Sequence, residues 1–271
     1  MRWTIHSTVH YPMLTKEETI RTLCENGVGP EIYFASAVLD ELKPHEAERA
    51  ATTLRDAGIS SLTFHAPFHD LWPGARDEEV RRLAVRRLKQ AISLAPVFKP
   101  VGIVIHGGYF GRLFDFRSDE WLESAKRSFC ELAEAAEKAN THLFAENVFE
   151  EDPSHLLRLR DAVGSPRLGF CFDPGHAALF SKISLHRWAY AFGENILQMH
   201  VHDNRGQRDD HLPVGEGTLN YRGALLAALD AGARPILTME PHRKEHFPRF
   251  LSGLREILSS IPSNAFQSQP E

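Results

Sequence analysis

The sequence has 271 residues, of which 42% are hydrophobic and 25% are charged, a composition ordinary for a folded globular protein without low-complexity segments. Its net charge of −5 argues against a general nucleic-acid binder, which usually carries a basic surface, although a local basic patch is compatible with this total. No apolar run approaches the length of a membrane span, and the N-terminal residues do not resemble a signal peptide.

Three cysteines, Cys24, Cys130 and Cys171, are widely separated along the chain. An odd number without a paired spacing indicates reduced thiols rather than a disulfide framework. We therefore expect a cytoplasmic protein in which each cysteine is a buried apolar side chain rather than a nucleophile.

Short apolar segments alternate with helical patterns along the whole chain. Strands are predicted at residues 3–9, 30–34, 61–65, 102–106, 141–146, 168–173, 196–202 and 235–240. Helices are predicted at residues 15–27, with Thr15 as the N-cap, and at residues 44–57, 77–97, 118–140, 152–164, 185–192, 221–231 and 247–259. The polar segment 262–271 is predicted to be a flexible C-terminal tail.

Eight strand–helix units, spaced by roughly thirty residues, predict an α/β protein with a parallel sheet. Because eight strands close a barrel, we predict one domain, a single (β/α)8 TIM barrel over residues 1–261. A doubly wound open sheet is the alternative architecture. It is disfavoured because no glycine-rich phosphate loop follows the first predicted strand.

The predicted strands carry polar side chains on one face and apolar side chains on the other, since successive residues of a strand alternate between faces. In the seventh strand the apolar face comprises Leu197, Met199 and Val201, which we expect to pack against helices. From the third strand onward, the other face ends in acidic residues or histidines, which we expect at the barrel mouth. These residues are His65, His106, Glu146, Asp173, His200, His202 and Glu240.

Charged groups at such a mouth are costly to desolvate unless they are paired or bound to a metal. Alone, His65 or His106 would more often be a hydrogen-bonded core histidine, and Glu146 could be half of a buried ion pair. Asp209 and His211 could likewise be solvated loop residues, and the segment from Asp173 to His176 could be a simple turn. Their joint occurrence predicts a metal site, and this ligand chemistry suits zinc, manganese, iron or cobalt better than calcium. Among the histidines near this rim, we expect three to contact ligands or substrate: His69, His202 and His242.

Several motifs together resemble the xylose isomerase-like TIM barrel superfamily, which joins sugar or sugar-phosphate isomerases and epimerases with endonuclease IV. They are Phe64-His-Ala-Pro, Val104-Ile-His-Gly-Gly, Ala145-Glu-Asn, Phe172-Asp-Pro-Gly-His, Met199-His-Val-His-Asp-Asn, Asp209-Asp-His-Leu-Pro-Val-Gly-Glu-Gly and Met239-Glu-Pro. The resemblance covers nearly the whole chain. The family often continues the loop motif with Ile-Asp-Trp, whereas this sequence has Leu219-Asn-Tyr, which blurs any assignment to a subfamily.

The resemblance implies two ligand sets. The one-metal set of the isomerases and epimerases falls on Glu146, Asp173, His200 and Glu240. The further positions used by endonuclease IV to hold three zinc ions fall on His65, His106, His176, Asp209 and His211. A divalent metal, zinc or manganese, with one to three ions per chain, is therefore expected.

The first functional hypothesis is an isomerase or epimerase acting on a sugar or sugar phosphate through an enediolate, with metal as the Lewis acid. The resemblance implies that Glu146 and Glu240 move the proton. We expect His176 to orient substrate oxygens and the aromatic loop from Phe68 to Trp72 to cover the sugar.

The second hypothesis is an endonuclease IV-like zinc phosphodiesterase acting on abasic DNA. It is disfavoured by the acidic total charge and by the few basic residues in the strand-end loops, namely Arg112, Arg117, Arg205, Arg208, Arg243 and Lys244. The third hypothesis is a metal-binding barrel without catalysis or with an unrelated lyase or hydrolase activity. The first hypothesis implies a small-molecule carbohydrate partner and leaves open whether the chain forms a homo-oligomer.

Overall fold

A closed barrel of eight parallel strands forms the centre of the protein in a computed structural model that describes residues 3–262. Each strand pairs with its neighbours in sequence, and the first pairs with the last to close the barrel. The strands are β1 Ile5–His10, β2 Gly29–Tyr33, β3 Thr63–His65, β4 Gly102–His106, β5 His142–Glu146, β6 Leu168–Phe172, β7 Ile196–Val201 and β8 Ile236–Met239. This confirms the predicted (β/α)8 TIM barrel.

Helices connect successive strands across the outside of the barrel in the described part of the chain. They are α1 Glu17–Asn26, α2 Ser36–Glu41, α3 Pro44–Asp56, α4 Glu78–Ser93, α5 Ala95–Phe98, α6 Ser118–Lys138, α7 Ser154–Val163, α8 Pro174–Phe180, α9 Leu185–Phe192, α10 Tyr221–Asp230 and α11 Phe247–Ser259. No helix within residues 3–262 is long and apolar enough to cross a membrane. Of the predicted tail, residues 263–271 lie outside the described residues.

Two local predictions were wrong, and two helices were missed. Thr15 does not cap α1, because its hydroxyl donates to the Pro12 carbonyl at 2.8 Å and closes a short 3-10 turn before the helix begins. The long helix predicted at 77–97 is divided after Ser93, since Pro96 cannot donate a backbone hydrogen bond within it. α2 and α8 were not predicted at all. In α8, Asp173 is the N-cap, and its carboxylate accepts a hydrogen bond from the His176 amide at 2.8 Å.

The three cysteines are free thiols, but they are not all buried. Cys171 lies in the interior, Cys130 is partly buried and Cys24 is exposed. The expectation of burial was therefore wrong for Cys24, because it lies next to Leu23 on α1 and only Leu23 faces the core.

The alternation of strand side chains is as predicted for most of the barrel. Outward residues such as Ile105, Phe172 and Met239 join the large core between sheet and helices, whereas Val104, Phe144 and Cys171 form a small apolar cluster inside the barrel. Leu197 is the exception, because it packs against this inner cluster instead of the helices. The pairing of β6 with β7 is irregular between Phe170 and Cys171, and this bulge changes the face on which Leu197 lies.

Candidate metal centre

The acidic residues and histidines predicted at the strand ends converge at one mouth of the barrel. Glu146 and His200 end or nearly end β5 and β7, and Asp173 immediately follows β6. The carboxyl ends of parallel strands meet at this rim, which brings residues distant in sequence into contact. All three side chains are almost completely buried, so their polar atoms are shielded from solvent and need neighbouring polar groups or a bound group as partners.

A first group of donors consists of His65, His106 and Glu146. The Nε2 atoms of both histidines lie 3.3 Å from Oε2 of Glu146. Nδ1 of His65 lies 2.8 Å from the Ala66 carbonyl, to which it donates. This bond places the ring proton on Nδ1 and leaves the Nε2 lone pair of His65 directed toward Glu146.

A central group surrounds Nδ1 of His200. This atom lies 3.3 Å from Oε1 of Glu146, 3.4 Å from Oδ2 of Asp173 and 3.5 Å from Oε2 of Glu240. Glu146 therefore contributes one oxygen to the first group and the other oxygen to the central group. These four residues are the one-metal set implied by the resemblance.

A third group lies on the loop after β7 and on α8. Oδ2 of Asp209 lies 3.4 Å from Nε2 of His176 and 2.8 Å from Nε2 of His211. Nδ1 of His176 donates to the Asn147 carbonyl at 3.1 Å, which again leaves Nε2 of the ring available. All nine predicted ligands are thus brought together in three adjoining groups.

The donor atoms fit divalent metal ions. Two ligands bound about 2.0–2.1 Å from a tetrahedral ion are separated by roughly 3.3 Å, which is close to the distances in the first and central groups and to the 3.4 Å between Asp209 and His176. Asp209 and His211, 2.8 Å apart, are at direct hydrogen-bond distance. Within residues 3–262, Nδ1 of His200 and Oε2 of Glu240 are buried atoms without a hydrogen-bond partner. Buried polar atoms normally have partners, so atoms that surround a common point without bonding to one another fit an ion at that point.

The charges of the centre balance one another. Burial would raise the pKa of the Glu146 carboxyl, but the imidazoles of His200 and His106 hold that pKa well below its usual range. Burial would likewise lower the pKa of His176, but Asp173 and Asp209 hold it well above its ordinary value. Burial dominates at His106, whose pKa is lowered despite the nearby Glu146 carboxylate. The Glu146 carboxylate is therefore ionised and able to bind cations at neutral pH.

Two residues that were not predicted as functional hold the ligand loops in place. The side chain of Asn147 exchanges two hydrogen bonds of 2.8 Å with the backbone of Asp173. Asp203 is completely buried, and its carboxylate accepts four backbone hydrogen bonds from the loop that carries Asp209 and His211. Asn147 directly follows Glu146 in the sequence, and Asp203 directly follows His202. Their positions next to a metal ligand and a rim histidine are the signal that could have identified them.

Glu31 is a third unpredicted residue of this region. It lies on the inner face of β2, is completely buried, and contacts Thr8, Thr63 and Gln198. The available signal was a glutamate between Pro30 and Ile32 in a predicted strand.

The predicted rim residues lie beside the donor groups. Phe68 stacks on His106 with ring centres 4.6 Å apart, and His69 lies against Phe68 at 4.2 Å. His242 stacks on His211 at 3.8 Å. His202 lies deeper, where Nε2 is 3.0 Å from Oδ2 of Asp173.

The aromatic loop and the basic residues only partly face the centre. Trp72 packs toward Phe114, with ring centres 6.4 Å apart, whereas Phe68 covers the ligands. Three of the six basic loop residues form ion pairs with neighbouring acids; these pairs are Arg117–Glu120, Arg208–Asp210 and Lys244–Glu18.

Known proteins resemble this chain in both sequence and structure. It is 31% identical over 215 residues to the uncharacterized protein MJ1311 of Methanocaldococcus jannaschii, covering 77% of this chain and 73% of that protein. It is 24% identical to the probable endonuclease 4 of Mycobacterium leprae, covering 79% of this chain and 89% of that protein.

Two solved structures are similar over nearly the whole barrel. A D-tagatose 3-epimerase-like protein is 25% identical, with a TM-score of 0.77 and coverage of 94% of this chain and 97% of the other. The TTHB071 protein of Thermus thermophilus, soaked with zinc chloride, is 26% identical, with a TM-score of 0.75 and coverage of 96% and 97%. The family model described as the xylose isomerase-like TIM barrel matches residues 29–260. Since that match covers most of the sequence, the chain belongs to the xylose isomerase-like TIM barrel family.

Proposed function

We propose that this protein is a metal-dependent hydrolase of phosphate esters with a centre for up to three divalent ions, zinc or manganese. One observation carries the proposal: five donors beyond the one-metal set of four gather around the same mouth. These five are His65, His106, His176, Asp209 and His211. A one-metal isomerase has no use for them as ligands.

The position of Glu146 also favours hydrolysis over proton transfer. Oε2 faces His65 and His106, while Oε1 faces His176 and His200, all at 3.1–3.3 Å. With ions in both adjoining groups, both oxygens of Glu146 would be ligands, so neither would be free to remove a proton from carbon. Glu146 is better placed to hold two ions at a fixed separation than to act as a general base.

Divalent ions bound there would stabilise the charge that builds on the phosphoryl oxygens and would make water a stronger nucleophile at neutral pH. The protein residues would set the position of the substrate. Phe68 and Tyr33, with ring centres 5.5 Å apart, offer an apolar wall beside the first donor group. His242 presents an imidazole at the opposite, third group.

The similarity to the probable endonuclease 4 supports this proposal and makes an abasic-site duplex the first substrate to test. Ion pairing of half the basic loop residues leaves fewer cations free to bind a DNA backbone. A smaller phosphate ester, such as a phosphodiester of a nucleotide or a sugar, is therefore the next substrate class.

A sugar isomerase or epimerase is the second candidate. It is favoured by the completeness of the central group and by the similarity to a D-tagatose 3-epimerase-like protein. In that case Glu146 and Glu240 would flank the carbon that loses its proton, and His176 would orient the substrate oxygens. The partner would then be a small carbohydrate.

Two measurements separate these functions. The metal content of the purified chain should approach three equivalents for the hydrolase, whereas one equivalent favours the isomerase. The activity of His106→Ala and Glu240→Gln should then be measured on an abasic-site duplex, on bis(p-nitrophenyl) phosphate and on a panel of ketoses. The hydrolase requires both variants to lose activity. Full activity of His106→Ala on a sugar, with loss in Glu240→Gln, would refute the hydrolase and support the one-metal reaction.

A further inference from the structure

We infer that Glu31 is a positioning residue for the metal ligand His200. Its carboxylate accepts a hydrogen bond from the Nε2–H group of His200 and so directs Nδ1 of that ring toward the metal. This inference rests on the proposed metal centre. It adds to that proposal a residue deep in the barrel that belongs to neither of the predicted ligand sets.

The two nitrogens of His200 face different groups. Nδ1 lies 3.3–3.5 Å from carboxylate oxygens of the central group, whereas Nε2 lies toward Glu31. Oε1 of Glu31 lies 3.4 Å from Nε2, and both side chains are completely buried. Glu31 is also close to Glu240, because the ligand atoms of Glu31, His200 and Glu240 lie within 4.8 Å of one another. Both oxygens of Glu31 already accept hydrogen bonds from Thr8, Thr63 and Gln198, which favours a positioning role for Glu31 over that of a further ligand.

A buried imidazole needs a partner for the nitrogen that does not bind metal. Within residues 3–262, Nε2 of His200 has no partner that meets hydrogen-bond geometry. An unpaired buried donor is costly, and the carboxylate oxygen 3.4 Å away is placed to accept a hydrogen bond from Nε2. The Glu31 carboxylate is therefore the acceptor available to Nε2 of His200.

The thiol of Cys171 is the competing partner near His200. Its sulfur already accepts a hydrogen bond from Nε2 of Gln198 at 3.7 Å. A cysteine sulfur is a weak acceptor, whereas a carboxylate forms the stronger, charge-assisted bond. The two candidates therefore make different predictions for substitutions at Glu31 and Cys171.

Glu31 is itself held in place by the inner face of the barrel. Thr8 donates to Oε1 at 3.2 Å, Thr63 donates to Oε2 at 3.4 Å, and Gln198 also donates to Oε2. A carboxylate with this many donors has little freedom to rotate, which suits a residue that orients a ligand. In metal sites, such outer partners fix the tautomer and orientation of the ligating histidine.

The test compares zinc binding by four variants. Metal-free full-length protein is titrated with zinc in competition with a fluorescent chelator. Glu31→Leu removes the acceptor and is expected to weaken one zinc equivalent by roughly 10–100-fold. Glu31→Gln retains an oxygen that can accept the hydrogen bond from Nε2, so its zinc affinity should fall less than that of Glu31→Leu. Thr238→Val and Cys171→Ala should bind zinc as the wild type does.

Thr238 is a matched control because it pairs with His200 in the sheet, is completely buried, and its hydroxyl has no partner within residues 3–262. Valine has nearly the same shape, so any loss in Thr238→Val would reflect general damage to this layer of the barrel. Unfolding curves of the metal-free variants measure that damage separately.

A second readout reports the bond directly. In zinc-loaded protein with ¹⁵N-labelled histidine, the Nε2 proton of His200 should give a resonance that moves in Glu31→Gln, because the acceptor loses its charge. This variant decides the question if Glu31→Leu fails to fold. Unchanged zinc affinity and an unchanged resonance in Glu31→Gln would overturn the inference. Equal weakening of all zinc equivalents in Glu31→Leu, or the same loss in Cys171→Ala, would overturn it too.

These failures are distinct from failure of the proposed function. If the wild type binds zinc tightly and hydrolyses phosphate esters while the Glu31 variants match it, only the role of Glu31 is refuted. If the wild type binds no divalent metal, the proposed function and this inference are refuted together.

Discussion

The loop that carries two of the predicted ligands depends on one buried carboxylate, that of Asp203. Oδ1 accepts hydrogen bonds from the amides of Asn204 and Leu219, at 2.9 and 3.0 Å. Oδ2 accepts from the amides of Gly215 and Gly217, at 2.9 and 3.1 Å. In Asp203→Asn, either orientation of the new amide directs its NH2 group at two backbone N–H donors. The substitution therefore removes one acceptor atom, and with it two hydrogen bonds, while hardly changing the shape of the side chain.

The expected cost follows from these two lost bonds. Each buried donor left unpaired costs about 1–3 kcal/mol, so Asp203→Asn should lower the free energy of unfolding by about 2–6 kcal/mol. We expect the lower half of this range, because Gly215 and Gly217 are close to solvent and water can replace some bonds. The variant should also lose the ion of the third group, since Asp209 and His211 lie on the released loop.

Urea unfolding and metal content per chain check this prediction together. Asp119→Asn is the control, because the Asp119 side chain is 87% exposed and forms an ion pair with Arg158 at the surface. Asp119→Asn should lower the free energy of unfolding by at most about 1 kcal/mol. If Asp203→Asn unfolds at the same urea concentration as the wild type and retains its full metal content, the assigned role of Asp203 is wrong.

Two further predictions concern pH and metal removal. Burial raises the pKa of Glu150 from 4.5 to about 7, so its neutral form stabilises the fold at low pH, and this contribution is lost as pH rises through 7. The unfolding free energy of the wild type relative to Glu150→Gln should therefore fall by about 3 kcal/mol between pH 4 and pH 8, and parallel pH profiles in urea titrations would contradict the assignment. Chelation of a metal present at about a hundredfold its dissociation constant should lower the thermal midpoint by roughly 5–10 °C, as measured by calorimetry, whereas an unchanged midpoint would argue against a bound ion.

The barrel and its ligands could be predicted because both depend on strand periodicity. The predicted boundaries of β4 and α9 agree with the structure, since each has an apolar pattern with polar or glycine residues at its ends. The same alternation placed His106 and Glu146 on the inner face, and the structure pairs these two residues in register on adjacent strands. Local pattern is sufficient here because every strand of a barrel has its functional end at the same rim.

The errors arose where tertiary structure overrides the local pattern. Asp173-Pro-Gly is typical of a turn, yet it begins α8, because proline and glycine are tolerated in the first turn where amides have no partner in the helix. The inward position of Leu197 follows from the pairing of β6 with β7, which the sequence of β7 alone does not contain. The elements that were predicted in the C-terminal half nevertheless follow one another in the correct order, although α8 was missed.

The residues that support the ligands were the hardest to recognise, and the reason is physical. A metal ligand carries a chemical signature in its side chain, whereas a supporting residue is defined by the atoms around it. Glu31 is separated from His200 by most of the chain, and the two approach each other only inside the folded barrel. Gln198, two residues before His200, donates a hydrogen bond to Glu31, but this contact too exists only in the folded chain. Asp203 likewise resembles a solvated loop residue until the four amides that it accepts from are folded around it. Assigning such residues therefore requires the geometry of the folded chain, and the ligand set alone does not reveal them.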